Sequence, residues 1–90
     1  MLIKAVTIEA ATAIKIYEKH SVLSQEVERV LTEQATIFKR VAGSQYAAVG
    51  LADRYLTIFF RYDDRTKEAT ITTAYPSSRK QVRFYKRMSR

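Results

Sequence analysis

Ninety residues make one domain, spanning 1–90, near the lower limit at which a chain buries a self-sufficient core. With 47% hydrophobic and 28% charged residues the composition is that of a folded protein, and the absence of cysteine excludes a disulfide framework and any thiolate zinc site. The net charge of +7 is local: residues 1–77 hold ten bases against all nine acids, and Arg79, Lys80, Arg83, Lys86, Arg87 and Arg90 supply the rest.

A basic face without acidic neighbours is the footprint expected for an anionic partner: nucleic acid, an acidic protein or an anionic membrane surface. No apolar run approaches the roughly 20 residues of a membrane span, and Lys4 and Glu9 interrupt any secretory pattern at the start. The chain is therefore expected to be soluble and cytoplasmic, with no membrane partner.

Leu2 to Ile8 suits a short first strand, or the beginning of the helix that follows. From Ala10 to His20, Ala10, Ala13, Ile14 and Tyr17 recur at the spacing of a helix with one buried stripe. Ser24 then offers an N-cap hydroxyl for a second helix over about Gln25 to Gln34, with Glu26 and Glu28 near its positive end and Val27, Val30 and Leu31 on one face. The short link between them predicts a helical hairpin.

After Gln34 the period changes. Thr36 to Ala42 is rich in β-branched and aromatic residues, Gly43-Ser44 turns the chain, and Gln45 to Val49 returns antiparallel to it. Following a link over Gly50 to Arg54, Tyr55 to Tyr62 alternates Leu56, Ile58, Phe60 and Tyr62 on one face with Tyr55, Thr57, Phe59 and Arg61 on the other. Asp63 to Glu68 is a polar turn and Ala69 to Tyr75 the last strand. Pairing Tyr62 with Ala69 sets Phe60 opposite Ile71, Ile58 opposite Thr73 and Leu56 opposite Tyr75. Pro76 stops that strand, and Ser77 or Ser78 caps a final basic helix whose Val82, Tyr85 and Met88 turn inward. The plan is α+β: a mainly antiparallel four- to five-stranded sheet, two N-terminal helices and a basic C-terminal helix.

The residue inventory narrows the chemistry. With one His, no Cys and two Gly, the chain has no phosphate-binding loop, dinucleotide fingerprint or nucleophile triad. His, Tyr, Lys and Arg suffice for RNA cleavage without a metal or other cofactor: a base takes the 2′-hydroxyl proton, an acid serves the leaving 5′-oxygen, and cations stabilise the phosphorane. The candidate catalytic residues are His20, Arg61, Tyr75 and Arg79. Arg61 stands out as an arginine among aromatics, and Arg79 as a cation set against a helix dipole. His20, Arg61 and Tyr75 each also have a structural reading, as a helix-end histidine, an ion-paired arginine and a strand-end tyrosine. Lys80, Arg83, Lys86 and Arg87 fit an RNA backbone or, as the alternative reading, make a non-catalytic basic module for nucleic acid or an acidic protein.

Three stretches carry a family resemblance: KHSVLSQEVERVL from Lys19 to Leu31, DRYLTIFFRY from Asp53 to Tyr62, and ITTAYPSSRKQVRFY from Ile71 to Tyr85. In their order and spacing they resemble the BrnT-like branch of the RelE/ParE toxin superfamily, small ribonuclease toxins of bacterial type II toxin–antitoxin systems. Lys19, His20, Arg54, Tyr55, Arg79 and Tyr85 match that pattern. The pattern often has an arginine and a glutamate where this chain has Tyr75 and Gln81. What the resemblance implies is a RelE-like sheet with an RNA-binding face, to which Arg54 would contribute, and an antitoxin partner that blocks it.

Overall fold

The computed structural model describes residues 1–89, so Arg90, one of the six tail bases, lies outside the described residues. In chain order the elements are β1 (Ala5–Thr7), α1 (Ala10–His20), α2 (Ser24–Thr32), β2 (Ile37–Ala42), β3 (Gln45–Leu51), β4 (Tyr55–Asp63), β5 (Glu68–Pro76) and α3 (Arg79–Met88). The strands form one five-stranded sheet in the order β1-β5-β4-β3-β2. β1 runs parallel to β5, and every other neighbouring pair is antiparallel.

The first strand does form, over Ala5–Thr7, as the edge of the sheet. α1 packs against β5, and α2 against β3 and β4. They bury Ile16, Val27 and Val30 against Leu56, Ile58, Phe60 and Ile71 on one sheet face. At about 25 cal/mol per Å² of apolar surface, this cluster is the main source of stability in a domain of this size.

Several expected boundaries and faces are corrected. In α1, Ile14 and Tyr17 are each 58% exposed whereas Ile16 is fully buried. Apolar residues stand on more than one side of this helix, and a less exposed line runs along Thr12, Ile16 and His20, four residues apart. Ser24 is the first helical residue of α2 and not its cap: Leu23 holds that position, and the Glu26 carboxylate accepts the Leu23 N–H at 2.9 Å. α2 ends at Thr32, two residues early, because Glu33 is extended.

The β4–β5 register departs from strict alternation. Tyr62 pairs with Ala69 and Phe60 with Ile71, as expected, but Phe59 pairs with Thr73, so Thr72 is an extra residue in a β-bulge. Beyond it Ile58 faces Ala74 and Leu56 faces Pro76, while Tyr75 lies opposite Thr57. The bulge thus turns Tyr75 away from the core and onto the face that carries Tyr55, Thr57 and Phe59.

α3 covers part of that second face. Its Tyr85 is buried against Tyr55, with ring centroids 5.5 Å apart, and Gln81, Val82 and Phe84 are half-buried. Met88, on the side predicted to turn inward, is instead 55% exposed in the last turn of the helix. No helix among the described residues is long and apolar enough to cross a membrane.

Candidate functional site

The site is built where β5 ends and α3 begins. Pro76 closes the strand, and Ser78 caps the helix by accepting the Gln81 N–H at 3.2 Å. Gln81 in return accepts the Ser78 N–H at 2.8 Å through its side-chain Oε1. A backbone N–H can only donate, so this contact fixes the amide orientation of Gln81. The same Oε1 accepts from Thr57 Oγ1 at 2.9 Å, and the opposite Nε2 donates to the Tyr75 hydroxyl oxygen at 3.0 Å.

Proton bookkeeping then assigns the remaining hydroxyls. Thr57 is 2% exposed and has one proton, which goes to Gln81. The 2.8 Å contact between Thr57 Oγ1 and Ser77 Oγ therefore has Ser77 as donor. Tyr75 accepts from Gln81, and its own proton has no acceptor among the described residues. Its ring lies between His20, with centroids 5.8 Å apart, and Phe59, at 6.1 Å.

His20 closes α1 and is half-buried. The chain leaves it through Ser21, a non-glycine residue in the left-handed region at φ 55°. That conformation costs about 1 kcal/mol or more, and a tie from Arg54 helps to hold it. Arg54 donates to the Ser21 carbonyl at 2.7 Å, and its Nε and Nη2 donate to the two Glu26 carboxylate oxygens at 2.9 and 3.0 Å. The guanidinium beside Glu26 holds that carboxyl below its ordinary range, and the carboxylate in turn raises Arg54. Arg54, expected to hold RNA, thus has its fork committed inside the protein, where it joins the β3–β4 connection to the α1–α2 turn next to His20.

Arg79 is exposed at the first position of α3. Its charge opposes the helix dipole at a cost of about 0.3–1 kcal/mol. Lys80, Arg83, Lys86 and Arg87 are also exposed. The ion pairs among the described residues join Arg29 to Asp53, Arg54 to Glu26 and Lys67 to Asp64, so none compensates α3. The positive face read from the sequence is accordingly presented to solvent without internal neutralisation.

Arg61 is not beside this cluster. It pairs across the sheet with Gln45 and Thr70, four residues along β4 from Thr57, which is about 13 Å at strand rise. It is exposed, and lines an open depression with Asp63, Asp64, Arg65 and Glu68. The structure brings His20, Tyr75 and the start of α3 together and leaves Arg61 at the far end of the same sheet face.

Thr57, Ser77 and Gln81 are the residues that sequence reasoning did not assign to a site. A signal for one of them was present, since Ser78-x-x-Gln81 has the spacing of a reciprocal cap. Nothing local marks Thr57 as its partner across the sheet. Among the described residues no three His, Asp or Glu side chains converge as a metal site requires.

No family model matches the chain, and no curated protein matches it in sequence. Among solved structures it is similar to the crystal structure of BrnT, the ribonuclease toxin of Brucella abortus. The TM-score is 0.68 at 10% sequence identity, over 83% of this chain and 97% of that one. At such identity the likeness is one of fold, and the α+β architecture described above is a BrnT-like fold.

Proposed function

We propose that this protein is a metal-independent RNA endonuclease and the toxin of a cytoplasmic toxin–antitoxin pair. The observation that carries the reading is Tyr75: its oxygen is held by Gln81 of the basic helix α3, its proton has no acceptor among the described residues, and its ring lies beside the His20 imidazole. The BrnT-like fold supports the same reading, because the fold is one that a ribonuclease toxin uses.

In this mechanism His20 takes the proton of an RNA 2′-hydroxyl, whose oxygen attacks the adjacent phosphorus. Tyr75 gives its proton to the departing 5′-oxygen as the P–O5′ bond breaks, which leaves a 2′,3′-cyclic phosphate and a 5′-hydroxyl. Arg79 stabilises the phosphorane, and Lys80, Arg83, Lys86 and Arg87 hold the flanking backbone. Arg61 acts on a neighbouring phosphate, given its distance from Tyr75. Arg54 orients the α1–α2 turn. The partner is an antitoxin that covers the basic face.

The test is cleavage of RNA by the purified protein in EDTA, with product ends identified. Wild type is expected to leave cyclic phosphates. Tyr75→Phe should lower kcat by about 10²–10⁴-fold and Arg79→Ala by about 10²–10³-fold; the melting temperature of Arg79→Ala should stay close to wild type, and that of Tyr75→Phe should fall by only a few degrees, about what one part-buried hydrogen bond contributes. Full activity in both variants removes these roles, and loss of activity on chelation removes the metal-independent mechanism. RNA binding with a steep salt dependence and no product identifies α3 as a docking helix and overturns the nuclease reading.

A further inference from the structure

We infer that the sheet face between Tyr75 and Arg61 holds a pocket for one unstacked nucleobase, with Phe59 as its floor and Gln45, Thr72 and Thr73 as the groups that read it. This rests on the proposed action on RNA and adds what would set its sequence preference.

The pocket exists because of the bulge. Phe59 lies opposite Ala47 on β3 and Thr73 on β5, and the extra residue Thr72 opens the β5 side of that pair. A depression of about 180 Å³ results, lined by Gln45, Phe59, Thr72 and Thr73 together with Tyr46 and Phe60. That is smaller than the roughly 300–1,000 Å³ of sites that enclose a drug-sized ligand, and suits one planar group.

Its chemistry matches a base better than an apolar side chain. An aromatic ring accepts the face of any base, while an amide and two hydroxyls can donate to and accept from a base edge. Ala47, opposite Phe59, adds only a methyl on the β3 side, and Phe59 remains half-buried. Gln45 and Thr72 are exposed, and neither they nor Thr73 join the network that occupies Thr57, Ser77, Gln81 and Tyr75.

Position supplies the second argument. Phe59 is midway along β4 between Thr57, opposite Tyr75, and Arg61, so cation, base platform and proton donor lie in one line on one face. A single strand crossing that face would set one phosphate near Arg61, a base on Phe59 and the cleaved bond at Tyr75. A duplex cannot use the pocket, because its bases stay stacked.

The probe is a set of uncleavable, fully 2′-O-methylated single-stranded tetranucleotides carrying each of the four bases at each position, with binding read by fluorescence anisotropy. Wild type is expected to prefer one base at one position by about tenfold or more. Gln45→Ala, at an exposed site, should reduce that preference below about threefold, and Thr72→Val should weaken it. Phe59→Leu should lower affinity for all four bases by about tenfold. Arg61→Ala should weaken all sequences evenly and reduce the salt slope by about one. Equal binding of every base by wild type, a preference that survives Gln45→Ala and Phe59→Leu, or duplex bound as tightly as single strand would each overturn the pocket. Cleavage of unmodified RNA is scored separately. Base-selective binding without cleavage keeps the pocket and removes the nuclease, whereas cleavage without base preference does the reverse.

Discussion

Replacing Gln81 by leucine keeps the size and helical preference of the side chain and removes every hydrogen bond it makes beyond the backbone. Three partners are affected: Thr57 loses its acceptor, the Ser78 N–H its side-chain cap, and the Tyr75 oxygen its donor. Thr57 is the costly one, since a buried polar group left unpaired costs about 1–3 kcal/mol. Its hydroxyl can turn to Ser77 Oγ, which is 2.8 Å away and half-exposed, so the loss falls toward the lower end. The Ser78 N–H is exposed to water at the helix start and adds a few tenths. A net loss of about 1–2 kcal/mol corresponds to roughly 4–16 °C in melting temperature for a domain of this length. Gln81→Glu separates stability from chemistry. A carboxylate there can still accept from Thr57 and Ser78 and is favoured at the helix N-terminus, so the melting temperature should not fall. It would, however, draw the Tyr75 proton to itself and lower cleavage about tenfold or more. The assay is thermal melting by circular dichroism alongside single-turnover cleavage. If Gln81→Leu melts and cleaves like wild type, the hydrogen-bond network has neither of the roles assigned to it.

Two further outcomes follow from the framework around the site. A Cβ at Gly50 would stand 2.5 Å from Thr36 Oγ1 and 2.8 Å from Val30 Cγ1, and the Thr36 hydroxyl is fixed by the Val30 carbonyl. Gly50→Ala should therefore cost about 1–3 kcal/mol in urea unfolding, and an unchanged midpoint would mean that α2 shifts freely over β3. Glu26 is held below its ordinary pKa, first by Arg54. Its contribution is thus fully present above the unfolded-state value of about 4.3 and is lost as pH falls through the lower folded value. Glu26→Gln should be destabilised at pH 7 by no more than about 1 kcal/mol, because Arg54 is 39% exposed. The gap from wild type should narrow as the pH falls below the unfolded-state value of about 4.3 and on through the lowered folded value; a gap that does not change with pH on the acid side would assign the loss to packing instead of charge.

What the sequence shows about this fold depends on how local the deciding interaction is. Tyr55 to Tyr62 alternates so regularly that its strand and both its faces can be read directly, and the observed β4 extends it by a single residue. The turn at Gly43-Ser44 is equally local and equally legible, and a serine cap for α3 is legible to within one residue, Ser77 or Ser78, of which the structure uses Ser78. α1 is different: Ile14, Ile16 and Tyr17 occupy several sides of one helix, and which side is buried is decided by β5, some fifty residues away in the chain. The start of α2 lies one residue earlier than its Ser24 hydroxyl suggests, because the Glu26 carboxylate reaches back to accept the Leu23 N–H and makes Leu23, which has no capping side chain, the N-cap.

The candidate site turns on the least legible feature of all, one extra residue in β5. Without the bulge at Thr72, alternation from Ala69 would put Tyr75 on the core side with Ile71 and set Thr73 opposite Ile58, which is the register that the pattern predicts. With it, Tyr75 changes face, meets Gln81, and comes to lie between His20 and Phe59. No residue in Ile71-Thr72-Thr73-Ala74 marks a bulge by type, since none is glycine and threonine suits a regular strand. The bulge is instead favoured by what it satisfies on both faces at once: Ala74 fits the core opposite Ile58, where it is fully buried, and the polar end of Tyr75 reaches a donor. Straightening the strand would bring the Tyr75 hydroxyl toward that apolar core and leave the Gln81 amide without its acceptor, so the irregularity that hides the site from sequence is also what the site's hydrogen bonds hold in place.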